Sequence, residues 1–167
     1  MQRVKQFSKS SFESHRKPAK NSTFSESAMV FFPSSLRAFA IRLRPGDDLR
    51  QSLQDMINTQ NMPAAAIVTC VGSLTRASLR MANQRELTTQ TGKFEIVSLT
   101  GTLSPSGLHL HLAISDKNGK TIGGHLANGN LIYTTAEIVA VELLDLSFAR
   151  VQDQQTGFRE LSIRSRE

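Results

Sequence analysis

The sequence Asp116-Lys117-Asn118-Gly119 is flanked by residues 108–115, with large apolar residues at every second position, and by residues 120–126, with large apolar residues at 122 and 126. Strict alternation is the period-2 pattern of a β-strand, and Asn-Gly between two such runs is the strongest short-range signal of a hairpin. This stretch therefore predicts an antiparallel hairpin and makes β-structure the framework of the fold.

The length of the turn decides which side chains share a face of the hairpin. A two-residue loop at 118–119 puts His125 on the face opposite to His111. A three-residue loop that begins at Asp116 and ends with left-handed Gly119 pairs His111 directly with His125. We favour the second register because it also gathers the large apolar side chains on one face. These are Leu108, Leu110, Leu112, Ile114, Ile122 and Leu126.

Three of the four histidines then share the other face: His109, His111 and His125. Residues two apart on a strand project from the same side, and directly paired residues have Cβ atoms about 4.5–5.5 Å apart. Imidazole nitrogens can converge from there on a metal ion and leave a fourth ligand position open. The sequence thus predicts a divalent metal site, with zinc as the default and nickel, iron or manganese as alternatives. The competing interpretation is three polar histidines on a solvated face.

The rest of the sequence predicts further strands around one principal helix. Asp47 is a suitable N-cap for a helix whose apolar residues are spaced at 49, 53, 56 and 57, and residues 61–63 end it. Residues 132–146 favour a long strand, although a helix is the alternative. The fold class is therefore α+β with a mainly antiparallel sheet. The other predicted strands are 36–44, 65–71, 75–82, 94–100 and 158–163.

The formal net charge of +6 is concentrated at the amino terminus. Residues 1–28 contain six basic and two acidic residues, so the remaining 139 residues carry only +2. We predict a flexible, basic, Ser-rich tail over residues 1–33 and one domain over residues 34–167. The tail could be a nucleic-acid or membrane-surface arm or a transit sequence, but a solvated extension without a partner is the simpler interpretation.

Two features bear on the compartment. No run approaches the roughly 20 apolar residues of a membrane span, and the start of the chain lacks the apolar core of a secretory signal. The single cysteine, Cys70, lies in an apolar run that predicts buried packing without a redox role. We expect a cytoplasmic protein with no membrane partner.

Several blocks of the sequence resemble the plant and prokaryote conserved (PPC) domain. They cover residues 92–101 (GKFEIVSLTG), 108–116 (LHLHLAISD), 122–126 (IGGHL) and 133–138 (YTTAEI), and the resemblance extends over about residues 36–163. It implies an antiparallel sheet with one principal helix, a homotrimer, and a metal site formed by the three histidines. Plant members bind DNA through an AT-hook with an Arg-Gly-Arg-Pro core, which this chain lacks.

These observations favour a trimeric binding protein with a three-histidine metal site and a DNA-binding or regulatory role, in which DNA contacts the basic tail. No DNA-reading element is evident in the domain. The alternative is a metal-dependent enzyme acting on a small molecule at the open metal position. Glu95 and Glu137 are then candidate proton-transfer groups by residue type alone, and we assign no catalytic residue. A third hypothesis gives the metal and the trimer a purely structural role.

Overall fold

The computed structural model describes residues 31–166. The predicted tail therefore lies outside the described residues, except for residues 31–33, which have no regular structure. The described part contains eight strands and one helix. They are β1 (Leu36–Leu43), α1 (Leu49–Thr59), β2 (Ala65–Arg80), β3 (Leu87–Leu103), β4 (His109–Ser115), β5 (Thr121–Leu126), β6 (Leu131–Leu143), β7 (Leu146–Gln152) and β8 (Arg159–Ser165).

The first six strands form one antiparallel sheet in the order β1-β6-β2-β3-β4-β5. Strand β5, at the edge of this order, also pairs with the end of β2 through Leu79 and Arg80. Strands β2, β3, β4 and β5 therefore close into a small ring. Strands β7 and β8 form a separate two-stranded sheet. The α+β class with a dominant antiparallel sheet and one principal helix is confirmed.

The helix begins one residue later than the sequence predicted. The N-cap is Asp48, whose carboxylate accepts hydrogen bonds from the backbone N–H groups of Arg50 and Gln51. Asp47 instead accepts a hydrogen bond from the backbone N–H of Arg44 and closes the preceding turn. Two adjacent aspartates offer the same side-chain chemistry, so only the backbone path distinguishes the cap from the turn residue.

Strand β2 joins two strands that the sequence predicted separately. Gly72 lies in its middle with φ +150°, and a Cβ there would lie 2.2 Å from the carbonyl oxygen of Thr135 on β6. The glycine therefore permits a close strand approach within a continuous strand, where the sequence pattern suggested a break. Residues 131–143 form strand β6, so the predicted strand is correct here and the alternative helix is wrong. Strand β7 was not predicted.

The register of the β4–β5 hairpin is the predicted one. His111 pairs with His125 and Ile114 with Ile122. The backbone N–H of Gly119 donates to the carbonyl of Asp116 at 2.9 Å, and Gly119 has φ +78°, as a bulged turn requires. The face below carries the core side chains Leu108, Leu110, Leu112, Ile114 and Leu126, all at most 8% exposed, with Ile122 packed against them.

Candidate metal centre

His109, His111 and His125 converge above the outer face of the β4–β5 hairpin. Their ring centroids are 5.1 to 5.6 Å apart, and one nitrogen of each ring lies within 4.8 Å of the corresponding nitrogen of the other two. The predicted register is what brings them together, since His111 and His125 are direct cross-strand partners. Whether they bind a metal stays a prediction.

Two glycines allow the neighbouring strands to approach the histidines closely. A Cβ at Gly101 of β3 would lie 1.9 Å from the carbonyl oxygen of His109. A Cβ at Gly124 of β5 would lie 2.8 Å from the carbonyl oxygen of Arg80, the cross-strand partner of His125. The absence of side chains at these positions therefore sets the spacing of the strands that carry the site.

Burial and neighbouring positive charges favour the neutral form of two of the imidazoles. Burial, followed by the positive charge of Arg80, lowers the pKa of His125 to about 4. Burial, followed by the charge of Arg150, also lowers the pKa of His109, and Glu160 partly opposes this shift. A neutral imidazole is the form that binds a metal ion, so the donor set fits a divalent cation at neutral pH.

A cleft of about 980 Å³ opens beside His109 and His125, and we call it the histidine cleft. Charged side chains from separate parts of the chain line it: Arg80 at the end of β2, Arg85 after it, and Arg159 and Glu160 on β8. A smaller hollow of about 450 Å³ above all three histidines shares Arg80 with this cleft. His109 and His125 thus border a concave surface that is lined by three arginines and one glutamate.

The β7–β8 hairpin supplies one wall of the histidine cleft through specific contacts. A guanidinium nitrogen of Arg150 donates to Oγ1 of Thr102 at 2.8 Å, and Thr102 is the cross-strand partner of His109. The guanidinium of Arg159 donates twice to the carbonyl of Arg150, at 2.7 and 3.2 Å. One oxygen of Glu160 accepts from the Thr156 hydroxyl at 3.0 Å. The bond from Arg150 to Thr102 joins the hairpin to the strand beside His109, and the other bonds hold the hairpin itself together.

The two carboxylates named by residue type do not line this cleft. Glu95 lies across from Ser73 and Ser115, and Glu137 lies across from Arg42 and Val71. The carboxylate beside His109 is Glu160, which sequence reasoning missed together with the arginine lining. No local signal could have found it, because Glu160 is 51 positions along the chain from His109 and only tertiary packing joins them.

Two other predictions concern apolar segments. Cys70 is 4% exposed, and burial raises the pKa of its thiol to about 11, which confirms its place in the core. Within residues 31–166, the structure contains no helix long and apolar enough to cross a membrane.

Comparison with known proteins assigns most of the chain to one family. The model of the Plants and Prokaryotes Conserved (PCC) domain matches residues 31–144. The chain therefore belongs to the plant and prokaryote conserved domain family, as the sequence blocks indicated.

Two relatives with similar sequences are longer than the part that this chain matches. The chain is 47% identical over 129 residues to the bifunctional protein GlmU of Synechococcus sp. (strain JA-3-3Ab), which is 77% of this chain and 21% of that protein. It is 28% identical over 127 residues to AT-hook motif nuclear-localized protein 16 of Arabidopsis thaliana, covering 71% of this chain and 48% of that protein. The chain thus spans about a fifth and about half of these two proteins.

Solved structures share the fold over nearly their whole length. A hypothetical protein from Salmonella enterica is 43% identical with a TM-score of 0.80, over 81% of this chain and 99% of that one. A metal-containing protein from Archaeoglobus fulgidus is 24% identical with a TM-score of 0.70, over 80% of this chain and 99% of that one. The second likeness concerns the fold alone.

Proposed function

We propose that the chain is a homotrimeric PPC-domain binding protein that holds one divalent metal ion, with zinc as the default, on His109, His111 and His125. The observation that carries the proposal is the convergence of three imidazole nitrogens within 4.8 Å. Lowered pKa values at His109 and His125 support it, because neutral rings need no deprotonation before they bind. The metal-containing Archaeoglobus protein of the same fold is consistent with it.

A titration with zinc tests the metal site. Protein stripped with EDTA and dialysed should bind one zinc ion per chain, and His111→Ala should weaken binding at least tenfold because only two ligands remain. His15→Ala is the matched control, since it removes the one histidine outside the cluster. Equal affinity in both variants would contradict the proposed ligand set.

Exposed valines on the central strands support self-association. Val71 of β2, Val97 of β3 and Val139 of β6 are 55%, 57% and 36% exposed, and Val68 of β2 is 60% exposed. Large apolar side chains on neighbouring strands of one sheet are typical of a surface that another protein covers. We propose that another copy of the chain covers this surface in a homotrimer.

The proposed DNA-binding role depends on the basic tail. Residues 1–28 carry +4, whereas the remainder nearly balances its charges. Three tails on one trimer would combine weak phosphate contacts and give sequence-indifferent binding that falls steeply with salt. Fluorescence anisotropy with a labelled duplex at 50 and 200 mM salt should detect binding by the full chain and none after deletion of residues 1–28. Binding that survives the deletion would contradict this role.

One observation favours a second candidate, a metal-dependent enzyme acting on a small molecule. Glu160 lines the histidine cleft with His109 and could exchange a proton with a ligand bound there. Hydrolysis of p-nitrophenyl phosphate by the zinc-loaded protein, abolished by Glu160→Gln with zinc affinity unchanged, would support this candidate. No hydrolysis above that of the zinc-stripped protein would count against it.

A further inference from the structure

The histidine cleft concentrates positive charge that the rest of the domain lacks. Three arginines and one acid line it, Arg80, Arg85 and Arg159 against Glu160, whereas residues 29–167 as a whole hold 14 basic and 12 acidic residues. Among residues 31–166, none of these arginines lies within 4.0 Å of a carboxylate. Guanidinium groups gathered without partners in a concave surface attract anions, phosphate above all.

The side chains of two of these arginines are also free to accept a ligand. The guanidinium groups of Arg80 and Arg85 donate no hydrogen bond to any residue of the described domain, and that of Arg159 donates only to the carbonyl of Arg150. A divalent cation on the adjacent histidines would add further positive charge. An anionic ligand would relieve this repulsion, and a neutral or cationic ligand would not.

The other residues that line the histidine cleft indicate a ligand larger than an inorganic anion. Phe158 stands at the cleft with 70% of its surface exposed, and the amides of Asn83 and Gln84 lie on the opposite strand connection. An exposed aromatic ring beside cationic groups is the usual platform for stacking a planar ring, and amides donate and accept hydrogen bonds at its edge. The cleft volume of about 980 Å³ is that of a small-molecule site.

We propose that the histidine cleft binds a small organic phosphate that carries a planar ring, such as a nucleoside monophosphate, with the phosphate between Arg80 and Arg159 and the ring against Phe158. This deepens the proposed function, and it rests on the metal site only in that a bound cation strengthens anion binding. The β7–β8 hairpin lies beyond the residues that the family model matches and supplies Phe158 and Arg159, so this part of the chain sets ligand choice.

Isothermal titration calorimetry with the full chain tests the proposed phosphate-binding site. Adenosine 5′-monophosphate should bind, more tightly in zinc-loaded protein than after EDTA treatment. Arg80→Gln and Arg159→Gln should each weaken binding about tenfold, the range of one charge-assisted hydrogen bond. Arg164→Gln is the matched control, an exposed arginine of the same strand that does not line the cleft. Equal losses for Arg159→Gln and Arg164→Gln would overturn the proposal.

Ribose 5-phosphate separates the ring from the phosphate. It should bind about tenfold more weakly than the nucleotide, because stacking of a base is lost. Phe158→Ala should reduce nucleotide affinity to that level and leave the affinity for ribose 5-phosphate unchanged. Equal binding of the two ligands by the unmodified chain would overturn the assignment of a planar ring.

The two proposals fail separately in this design. Protein that binds zinc but no nucleotide would overturn the phosphate site and leave the metal site standing. Nucleotide binding that depends on Arg80 and Arg159 without any zinc binding would support the phosphate site and contradict the metal site. Displacement of the nucleotide by an equal phosphate concentration of duplex DNA would assign the cleft to a nucleic-acid backbone and overturn the small-molecule proposal.

Discussion

His111 of β4 and His125 of β5 are direct cross-strand partners, and His125 pairs on its other side with Arg80 of β2. Paired residues point to the same face of a sheet, so a histidine pair and an arginine lie side by side on a three-strand surface. A one-residue change of register would send His125 into the apolar face beneath.

The stability of the metal-free protein should fall as the pH drops from about 6.5 toward 4. The pKa of His125 is about 4 in the folded chain against about 6.5 when unfolded, so the unfolded chain binds more protons in this window. The free energy of unfolding therefore decreases with acidification and is fully present only above pH 6.5. Urea denaturation in EDTA at pH 7, 6, 5 and 4.5 measures it.

His125→Asn controls for other acid-sensitive groups. The variant keeps a polar side chain without the titration, so its unfolding free energy should depend less steeply on pH over the same window. An identical dependence in the variant and the parent chain would show that His125 is not shielded from protonation.

Replacement of Gly101 by alanine should disturb the site through the backbone. The new Cβ would lie 1.9 Å from the carbonyl oxygen of His109, so β4 must shift, and the loss of stability should be at least about 3 kcal/mol. Gly119→Ala is the control, since Gly119 also has a positive φ but has open space around it, and it should cost about 1 kcal/mol. Thermal and urea unfolding measure both. Equal losses would mean that strand spacing at Gly101 is unimportant.

A charge placed among the exposed valines of β2, β3 and β6 should dissociate the proposed trimer. Val71→Lys introduces three ammonium groups at a proposed subunit contact, and desolvating them is unfavourable. Val151→Lys, at a 49% exposed valine on the other sheet, should leave the assembly intact. Sedimentation velocity distinguishes the species. A trimer that persists in Val71→Lys would move the contact elsewhere.

The thiol of Cys70 should be inert in the native protein. It is 4% exposed and its pKa is raised to about 11 by burial, so almost no thiolate forms at neutral pH. Ellman's reagent should react with it only after unfolding, at least 100-fold more slowly under native conditions. Rapid native labelling would contradict the packing described for β2.

The sequence predicted the hairpin well because its information is local. The turn chemistry of Asp116 and Gly119 and the alternation of leucines act within 20 residues, and the structure follows them. The sequence did not predict the N-cap at Asp48, because the adjacent Asp47 has the same side chain and only the backbone path distinguishes the two. It did not predict the continuity of β2 either, because a glycine such as Gly72 can break a strand or permit a close contact with its neighbour. The sequence also did not predict the arginines that line the histidine cleft, because they come from distant segments that meet only after folding.

The metal content of untagged protein, purified without chelator from a metal-replete culture, tests the central claim most directly. Inductively coupled plasma mass spectrometry should find close to one divalent metal ion per chain in the parent protein and in His15→Ala. His111→Ala should contain almost none. Parent protein that is free of metal, or a His111→Ala variant as fully loaded as the parent, would contradict the assignment of His109, His111 and His125 as a metal centre.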